Sequence, residues 1–477
     1  MKTMNVQIPK KVLDLFKMFE KNNFQIYIVG GAVRDILLGK IVYDWDFTTD
    51  ATPDNMLKIL KKMDAYYTNE FGTVGIPTQE DKRPLEITTF RTEHGYSDSR
   101  RPDKVKWGKS LKRDLERRDF TVNAMALGKR KNAKSKYLKK WEDKTADFLL
   151  SATPSFILID PHDGRKDLDN KLIRAVGDPK KRFGEDALRM MRAVRIASEL
   201  KFGIEEKTLK AIKNNASLIE KISNERIRDE LLKTLASPYP YQGMTIMRNV
   251  GLMREVLPEM EEAFGVEQKS PGRHHIYDVG THSMLSLKHV AEKNKDPIVR
   301  FATLIHDIGK PETYKKLKNG TITFYNHEVV SGRIAKKIAK RLKFSKKQTE
   351  KFYKLVRFHQ FTLDEKQTDS AIRRFIGKVG KENVPDMLDL RVGDRLGGGA
   401  RETSWRLEEF KKRLVEVQKQ PFTVHDIKVS GNDVMKILDL EAGPRVGEVL
   451  KKLYNEVVEK KVPNNKKELI KRLKEMK

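Results

Sequence analysis

The sequence predicts an α+β head with a small mixed sheet, followed by an all-α remainder. Three observations carry this. The first 150 residues alternate short β-branched and apolar runs with helix-like segments. From about residue 165 apolar residues recur at helical spacing and strand signals nearly vanish. No repeat of fixed period runs through either half. A chain of 477 residues suggests about two to four domains. We expect a head over 1–160, a helical neck over 161–262, a helical body over 263–400 and a basic helical tail over 401–477.

The elements follow in order. "MKTMNVQIPKKVLDLFKMFEKNNF" lacks a signal-peptide apolar block and reads as an amphipathic helix. "QIYIVGG" (25–31) is a strand ending on two glycines, and "AVRDILLG" a helix stopping at Gly39. "IVYDWDFT" (41–48) is the next strand. In "TPDNMLKILKKM", Thr52 is the N-cap and Pro53 the first helical residue. "FGTVGIPT" (71–78) and "PLEITTFR" (84–91) are further strands. Residues 92–118, polar and arginine-rich, read as a loop that is mobile or ordered by ligand; 128–145 read as a second basic loop. "RFGEDALRMMRAVRIASEL" and "NERIRDELLKTLASP" are helical, "GTITFY" (320–325) is an isolated strand candidate, and the last stretch is helical on both sides of "VPNN".

Apolar residues make up 38% and charged residues 34%. No apolar run reaches the ~18 residues of a membrane helix, so no membrane partner is expected and the default location is the cytoplasm. The absence of cysteine excludes disulfides and thiolate metal sites. Any metal must be held by His, Asp or Glu. A net charge of +30 favours a polyanionic partner, most simply nucleic acid, although a lysine-rich proteome gives the same excess.

The stretch "IVYDWDFTTD" carries two aspartates around one tryptophan. In a strand, residues i and i+2 share a face, so Asp44 and Asp46 project together while Trp45 turns to the core. Two carboxylates on one face repel unless a cation lies between them, and Mg²⁺ suits that place. Glu86, an isolated acid within the strand "LEITTFR", is the third candidate. In "GGAVRD" (30–35), Gly30 and Gly31 let the backbone approach a phosphate, the helix start offers free N–H groups, and Arg34 adds positive charge one turn in. Alone, an Asp-X-Asp is usually a solvated turn. At this spacing the pieces together describe phosphoryl transfer.

In "EDALRMMRAVR", Asp186 and Arg189 lie three apart on a predicted helix and are surface neighbours. Cytosine and adenine present an amine beside an unprotonated ring nitrogen; uracil and guanine present the reverse. One Asp/Arg pair can therefore admit CTP and ATP and reject UTP and GTP without a template. The plain alternative is a solvated, salt-bridged helix face. Arg192 continues the row and is expected to help hold nucleotide. Arg195 has drifted around the helix, since successive residues turn by ~100°.

Seven of the ten histidines fall between 274 and 359. His282, the adjacent His306 and Asp307 in "LIHDIGKP", His327, His359 and Asp394 follow in that order. Imidazole and carboxylate ligands suit one or two divalent transition metals, whereas each lone histidine is more often a satisfied polar residue in a core.

"GGAVRD", "DWDFTT", "RRDFTVNAM" (117–125) and "GEDALRMMRAVR" (184–195) resemble the ordered motifs of the class II tRNA nucleotidyltransferases and bacterial poly(A) polymerases, of the polymerase-β-like superfamily. The resemblance covers roughly 10–260. It implies a polymerase-β-like head and an all-α neck, and addition of CCA to the 3′ end of tRNA from CTP and ATP. It implies that Asp44, Asp46 and Glu86 position Mg²⁺, that Arg118 contacts nucleotide phosphates and that Asp119 recognises the ribose. Asp186 and Arg189 would read the base, and Arg192 and Arg195 would bind nucleotide. The full-length loop over 91–116 implies an enzyme that can add A. "NEFGTVGIP" stands where bacterial poly(A) polymerases carry a basic segment, which favours the tRNA-directed branch, and 429–453 resemble that branch's C-terminal segment. The His/Asp series resembles the HD superfamily of phosphohydrolases, implying an HD-type body that holds metal and cleaves phosphate esters such as 2′,3′-cyclic phosphates at RNA ends. An A-adding enzyme, a poly(A) polymerase and an RNA 3′-end hydrolase with a binding-only head are the competing readings.

Overall fold

The computed structural model describes residues 8–69, 72–78, 84–94, 104–129, 145–148, 156–268, 276–361, 368–418, 424–459 and 461–476. The chain divides into two compact units, residues 1–261 with 341–343, and residues 262–340 with 344–477.

The first unit begins with α1 (Lys10–Lys21), β1 (Ile26–Val29), α2 (Gly31–Leu37), β2 (Asp46–Thr49), α3 (Pro53–Ile59), β3 (Tyr66–Asn69), β4 (Thr73–Ile76) and β5 (Leu85–Thr89). It continues through β6 (Arg91–His94), β7 (Lys104–Trp107), α4 (Leu111–Glu116), β8 (Ala126–Lys129), β9 (Thr145–Phe148) and β10 (Phe156–Ile159). Eight strands form one sheet in the order β3-β4-β5-β2-β1-β8-β10-β9. β2 and β5 pair in parallel, and the other neighbours are antiparallel. This is the mixed sheet the pattern predicts.

β1 and β10 are buried along their whole length because both faces are covered. On one face Phe16 of α1 meets Phe156 edge-on at 5.3 Å. On the other, Leu111 and Leu115 of α4 join Tyr27, Val29, Ile157 and Ile159. The alternation of strand side chains sorts Phe156 from Ile157 in this way. Thr52 caps α3 as expected, accepting from the Asn55 amide at 3.4 Å.

Four expectations change. β2 starts only at Asp46, so Asp44 lies in the approach to the strand. The arginine-rich stretch after β5 is not simply a loop: β6 and β7 pair as a two-stranded ribbon and α4 follows, with 95–103 outside the described residues. The second basic stretch is bounded by β8 and β9, its centre at 130–144 lying outside the described residues. The single helix expected around 182–200 is two. After α5 (Gly164–Asp169) come α6 (Pro179–Glu185) and α7 (Leu188–Leu200), and Asp186 between them is extended at φ −147° and ψ 105°. α8 (Glu206–Asn215) and α9 (Asn224–Ala236) continue the helical part.

Among its described residues the second unit is helical apart from one short strand pair, Lys315–Lys316 with Ile322–Thr323, which is the strand candidate near 320. Pro297–Ile305 is buried from Ile298 onward, as a helix apolar all round must be. Helices Val279–Lys293 and Val384–Gly397 pack very closely: a side chain at Gly397 would meet the Ser286 amide nitrogen at 2.7 Å. Beyond residue 424, Ile427, Val434, Leu453 and Leu469 belong to a small core of their own, with helices Pro444–Val458 and Lys466–Lys474 on either side of "VPNN". No helix among the described residues is long and apolar enough to cross a membrane.

Candidate active site

The parallel register of β2 and β5 sets Asp46 beside Glu86. Asp44 is exposed two residues earlier, and Trp45 is buried. Asp44, in the irregular segment leading into β2, is near enough for its charge to act on both Asp46 and Glu86. Burial, then the charge of Asp44, with Glu86 adding and Arg118 and Arg192 opposing, pushes Asp46 up to about 6. Burial and then Asp44 also raise Glu86. Carboxylates that resist ionisation near one another are stabilised by a hard cation, and oxygen donors suit Mg²⁺; among the described residues, Asp44, Asp46 and Glu86 do not gather as closely as the ligands of the histidine-centred groups.

Gly30, at φ +69°, ends β1 and opens α2 through Gly31. A Cβ at Gly30 would stand 3.3 Å from both Asp46 Oδ2 and Arg118 Nη1, so glycine keeps the backbone against the acid and the guanidinium. Arg34 is not brought into the cavity described next. It donates to Asp35 at 2.9 Å and to Asn123 at 3.0 Å.

A cavity of about 360 Å³ opens beside Asp46. The head contributes Arg91, Arg117, Arg118 and Asp119 to its wall; the helical part contributes Asp186, Arg189, Arg192 and Arg226. Arg192 donates to Asp119 Oδ2 from Nε at 2.8 Å and from Nη2 at 2.6 Å. Burial opposes ionisation of Asp119, but Arg192 outweighs it and holds the carboxyl down to about 2. Arg189 is tied to Glu185 at 2.6 Å, to the Arg182 carbonyl at 3.1 Å and to the Arg117 carbonyl at 3.3 Å. Asp186 and Arg189 both line the cavity, on either side of a break between helices rather than along one helix face.

Arg195 falls outside this wall. It pairs with Glu230 and Glu199, each at 2.7 Å. Two more turns of α7 carry it away from Asp186, as the 100° step dictates.

Sequence reasoning missed Asp114, Arg117, Arg91 and Arg226. Asp114 is fully buried. Its Oδ1 accepts from Arg117 Nε at 2.9 Å and Nη2 at 2.7 Å, and its Oδ2 from Arg118 Nη2 and Thr48 Oγ1, each at 3.3 Å. Burial raises its pKa, but Arg117 and Arg118 win and lower it. The i, i+3 and i, i+4 spacing in "DLERR" was the available signal. Arg226 had none, since it arrives through tertiary packing.

A second centre lies in the second unit. Asp307 Oδ2 stands 3.4 Å from His282 Nε2 and 3.3 Å from His306 Nε2. Its Oδ1 stands 3.2 Å from His327 Nε2 and 3.4 Å from His359 Nε2. Asp394 Oδ1 lies 3.1 Å from His282 and 3.5 Å from His306. All six expected residues thus converge, with Asp307 central to both groups of donors. Nδ1–H of His306, His327 and His359 donates to the carbonyls of Thr303, Phe324 and Val356 at 2.7, 2.8 and 2.7 Å, which turns each Nε2 inward. Lys310 lies 2.6 Å from Asp307 Oδ2. Burial opposes protonation of His306, but Asp307 outweighs it and holds the imidazole up to about 10, so a metal bound here displaces a proton. The inward imidazole and carboxylate donors fit a divalent transition metal.

Comparison with known proteins identifies the family. Residues 26–174 match the family described as "Poly A polymerase head domain", residues 201–264 the "Probable RNA and SrmB- binding site of polymerase A", and residues 323–473 the "tRNA nucleotidyltransferase domain 2" family. A CCA-adding enzyme of Lactobacillus helveticus is 42% identical over 247 residues, 52% of this chain and 55% of that protein. The chain thus aligns with about half the length of such relatives. A CCA-adding enzyme of Lactobacillus johnsonii is 31% identical over 457 residues, 95% of this chain and 94% of that protein. The crystal structure of the Bacillus stearothermophilus CCA-adding enzyme in complex with CTP superposes with a TM-score of 0.65 at 26% identity, covering 98% of each chain. With this likeness running almost end to end, the chain belongs to the family of CCA-adding enzymes.

Proposed function

We propose that this protein adds CCA to the 3′ end of tRNA from CTP and ATP, in the cytoplasm, without a nucleic-acid template. The RNA 3′-hydroxyl attacks the α-phosphate, the bond to the β-phosphate breaks and pyrophosphate leaves. One observation carries the reading: Asp46 shares one cavity with Arg91, Arg117, Arg118 and Arg192 and with Asp186 and Arg189. In this reading Asp44, Asp46 and Glu86 hold Mg²⁺, which when bound activates the hydroxyl and neutralises developing charge. Gly30 and Gly31 keep the backbone close to the triphosphate, Arg118 and Arg192 draw its charge into the cavity, and Asp119 orients the ribose. Asp186 accepts from the base amine while Arg189 donates to the ring nitrogen. Arg34 acts from behind Gly31, and Arg195 supports α7 through Glu230. The head, neck, body and tail divide as 1–160, 161–262, 263–400 and 401–477.

The test is incorporation of labelled CTP and ATP, alone and together, into tRNA ending at the discriminator base, at –C and at –CC. CTP into the first two and ATP into –CC alone is the expected outcome. ATP into –CC without any use of CTP makes it an A-adding enzyme, and long A tails on unrelated RNA make it a poly(A) polymerase.

A second reading concerns the body. We propose that His282, His306, Asp307, His327, His359 and Asp394 hold a divalent transition metal and that this centre hydrolyses phosphate esters at RNA ends. The inward aim of the imidazoles supports it. Metal analysis of the purified protein is the first check. Unchanged metal content and unchanged phosphatase activity in a His306→Ala, Asp307→Ala double variant would remove this reading.

A further inference from the structure

Asp186 sits where two helices break, with extended backbone. Two donors fix its side chain. The Leu188 amide donates to Oδ1 at 3.0 Å, and Arg226 Nη2 donates to Oδ2 at 2.8 Å. Arg226 comes from the first turn of α9 and lines the same cavity. Its Nη1 is buried without a hydrogen-bond partner, so Asp186 is what this guanidinium is placed to hold. The other base-reading residue has an anchor of its own, since Glu185 holds Arg189 at 2.6 Å.

With one donor on each oxygen, the plane of the Asp186 carboxylate is set. Each oxygen keeps a second lone-pair direction, and an ionised carboxylate only accepts. A carboxylate fixed in this way takes an exocyclic amine and repels a carbonyl oxygen in the same place. Held by the Leu188 amide alone it can turn, and a turned carboxylate no longer meets the carbonyl of a wrong base. Rejection is the part of specificity that depends on fixed repulsive geometry. We infer that Arg226 is a positioning residue for nucleotide selection, acting through Asp186 and not by touching nucleotide. This inference rests on the CCA-adding reading proposed above.

The test uses the full chain and compares wild type, Arg226→Gln and Arg226→Lys. kcat/KM is measured for CTP and UTP on tRNA ending at the discriminator base, and for ATP and GTP on tRNA ending in –CC. Arg226→Gln is expected to lower both the CTP:UTP and ATP:GTP ratios by about tenfold or more, the range a polar selectivity contact commands. Arg226→Lys, which keeps a cation within reach of Oδ2, is expected to restore part of each ratio. A ratio taken on one preparation is insensitive to its folded fraction, so partial misfolding cannot imitate the result. Unchanged ratios in Arg226→Gln overturn the inference. So does an equal loss with all nucleotides, which would make Arg226 a phosphate ligand. A wild-type protein that incorporates CTP and UTP alike fails at the prior step and removes the base-selection reading itself.

Discussion

Asp46 carries opposed demands. Its place beside Asp44 and Glu86 suits a cation, yet without metal the folded protein keeps its proton up to about pH 6. The unfolded chain loses that proton in the ordinary carboxylate range. Folding stability of the metal-free protein therefore falls as pH rises from near 4 through about 6, by an amount on the order of 3 kcal/mol. Asp46→Asn is expected to abolish nucleotide incorporation while raising the metal-free Tm at pH 8, with little difference at pH 3.5, where Asp46 is largely protonated in both states. Thermal melts at both pH values in chelator check this. Asp114 makes a contrasting case. It touches no cavity surface but holds Arg117 and Arg118, so Asp114→Asn should raise KM for CTP and ATP alike and leave the CTP:UTP ratio unchanged. Losing a buried charge partner should also destabilise the fold by about 3 kcal/mol, readable by denaturant unfolding. Site residues were legible where chemistry was local, as in Asp44–Asp46 or His306–Asp307. Arg34 and Arg195 lie outside the cavity wall, where nearby acids, Asp35 for one and Glu230 for the other, hold their side chains.

Elements place these residues by how they end and how closely they pack. The break between α6 and α7 turns Asp186 out of the helical row, which periodicity had drawn as one helix. Apolar spacing continues across the break, so the pattern carries no sign of it. In the second unit the glycines of "RVGDRLGGG" let Val384–Gly397 approach Val279–Lys293, and this brings Asp394 to His282 at 3.1 Å. Gly397→Val would drive a side chain into the Ser286 backbone. We expect a loss of about 1–3 kcal/mol from overpacking, together with reduced metal content of the purified protein. Incorporation of CTP and ATP should persist, and metal analysis beside a transfer assay separates the two effects.

The whole chain is strongly basic, with 97 Lys and Arg against 67 Asp and Glu. If tRNA is the partner, its affinity should fall steeply with salt, by roughly 10³-fold or more between 50 and 200 mM for six or more phosphate contacts. Filter binding across a salt series measures the slope. A flat response would assign the charge to composition alone.

The sequence by itself determined the class of fold, the convergence of the His/Asp series, the placing of Asp46 beside Glu86 and the family to which the chain belongs. These follow from period, capping and residue chemistry, which are local and survive in one dimension. Only the tertiary structure decided that Asp186 stands at a helix break braced by Arg226, that Asp114 underlies the arginine wall, that Arg195 faces Glu230 and that Asp307 lies between two groups of histidines. Each of these is a partnership between residues distant in sequence or turned by packing. Burial and charge settle such pairings only when the whole chain is folded.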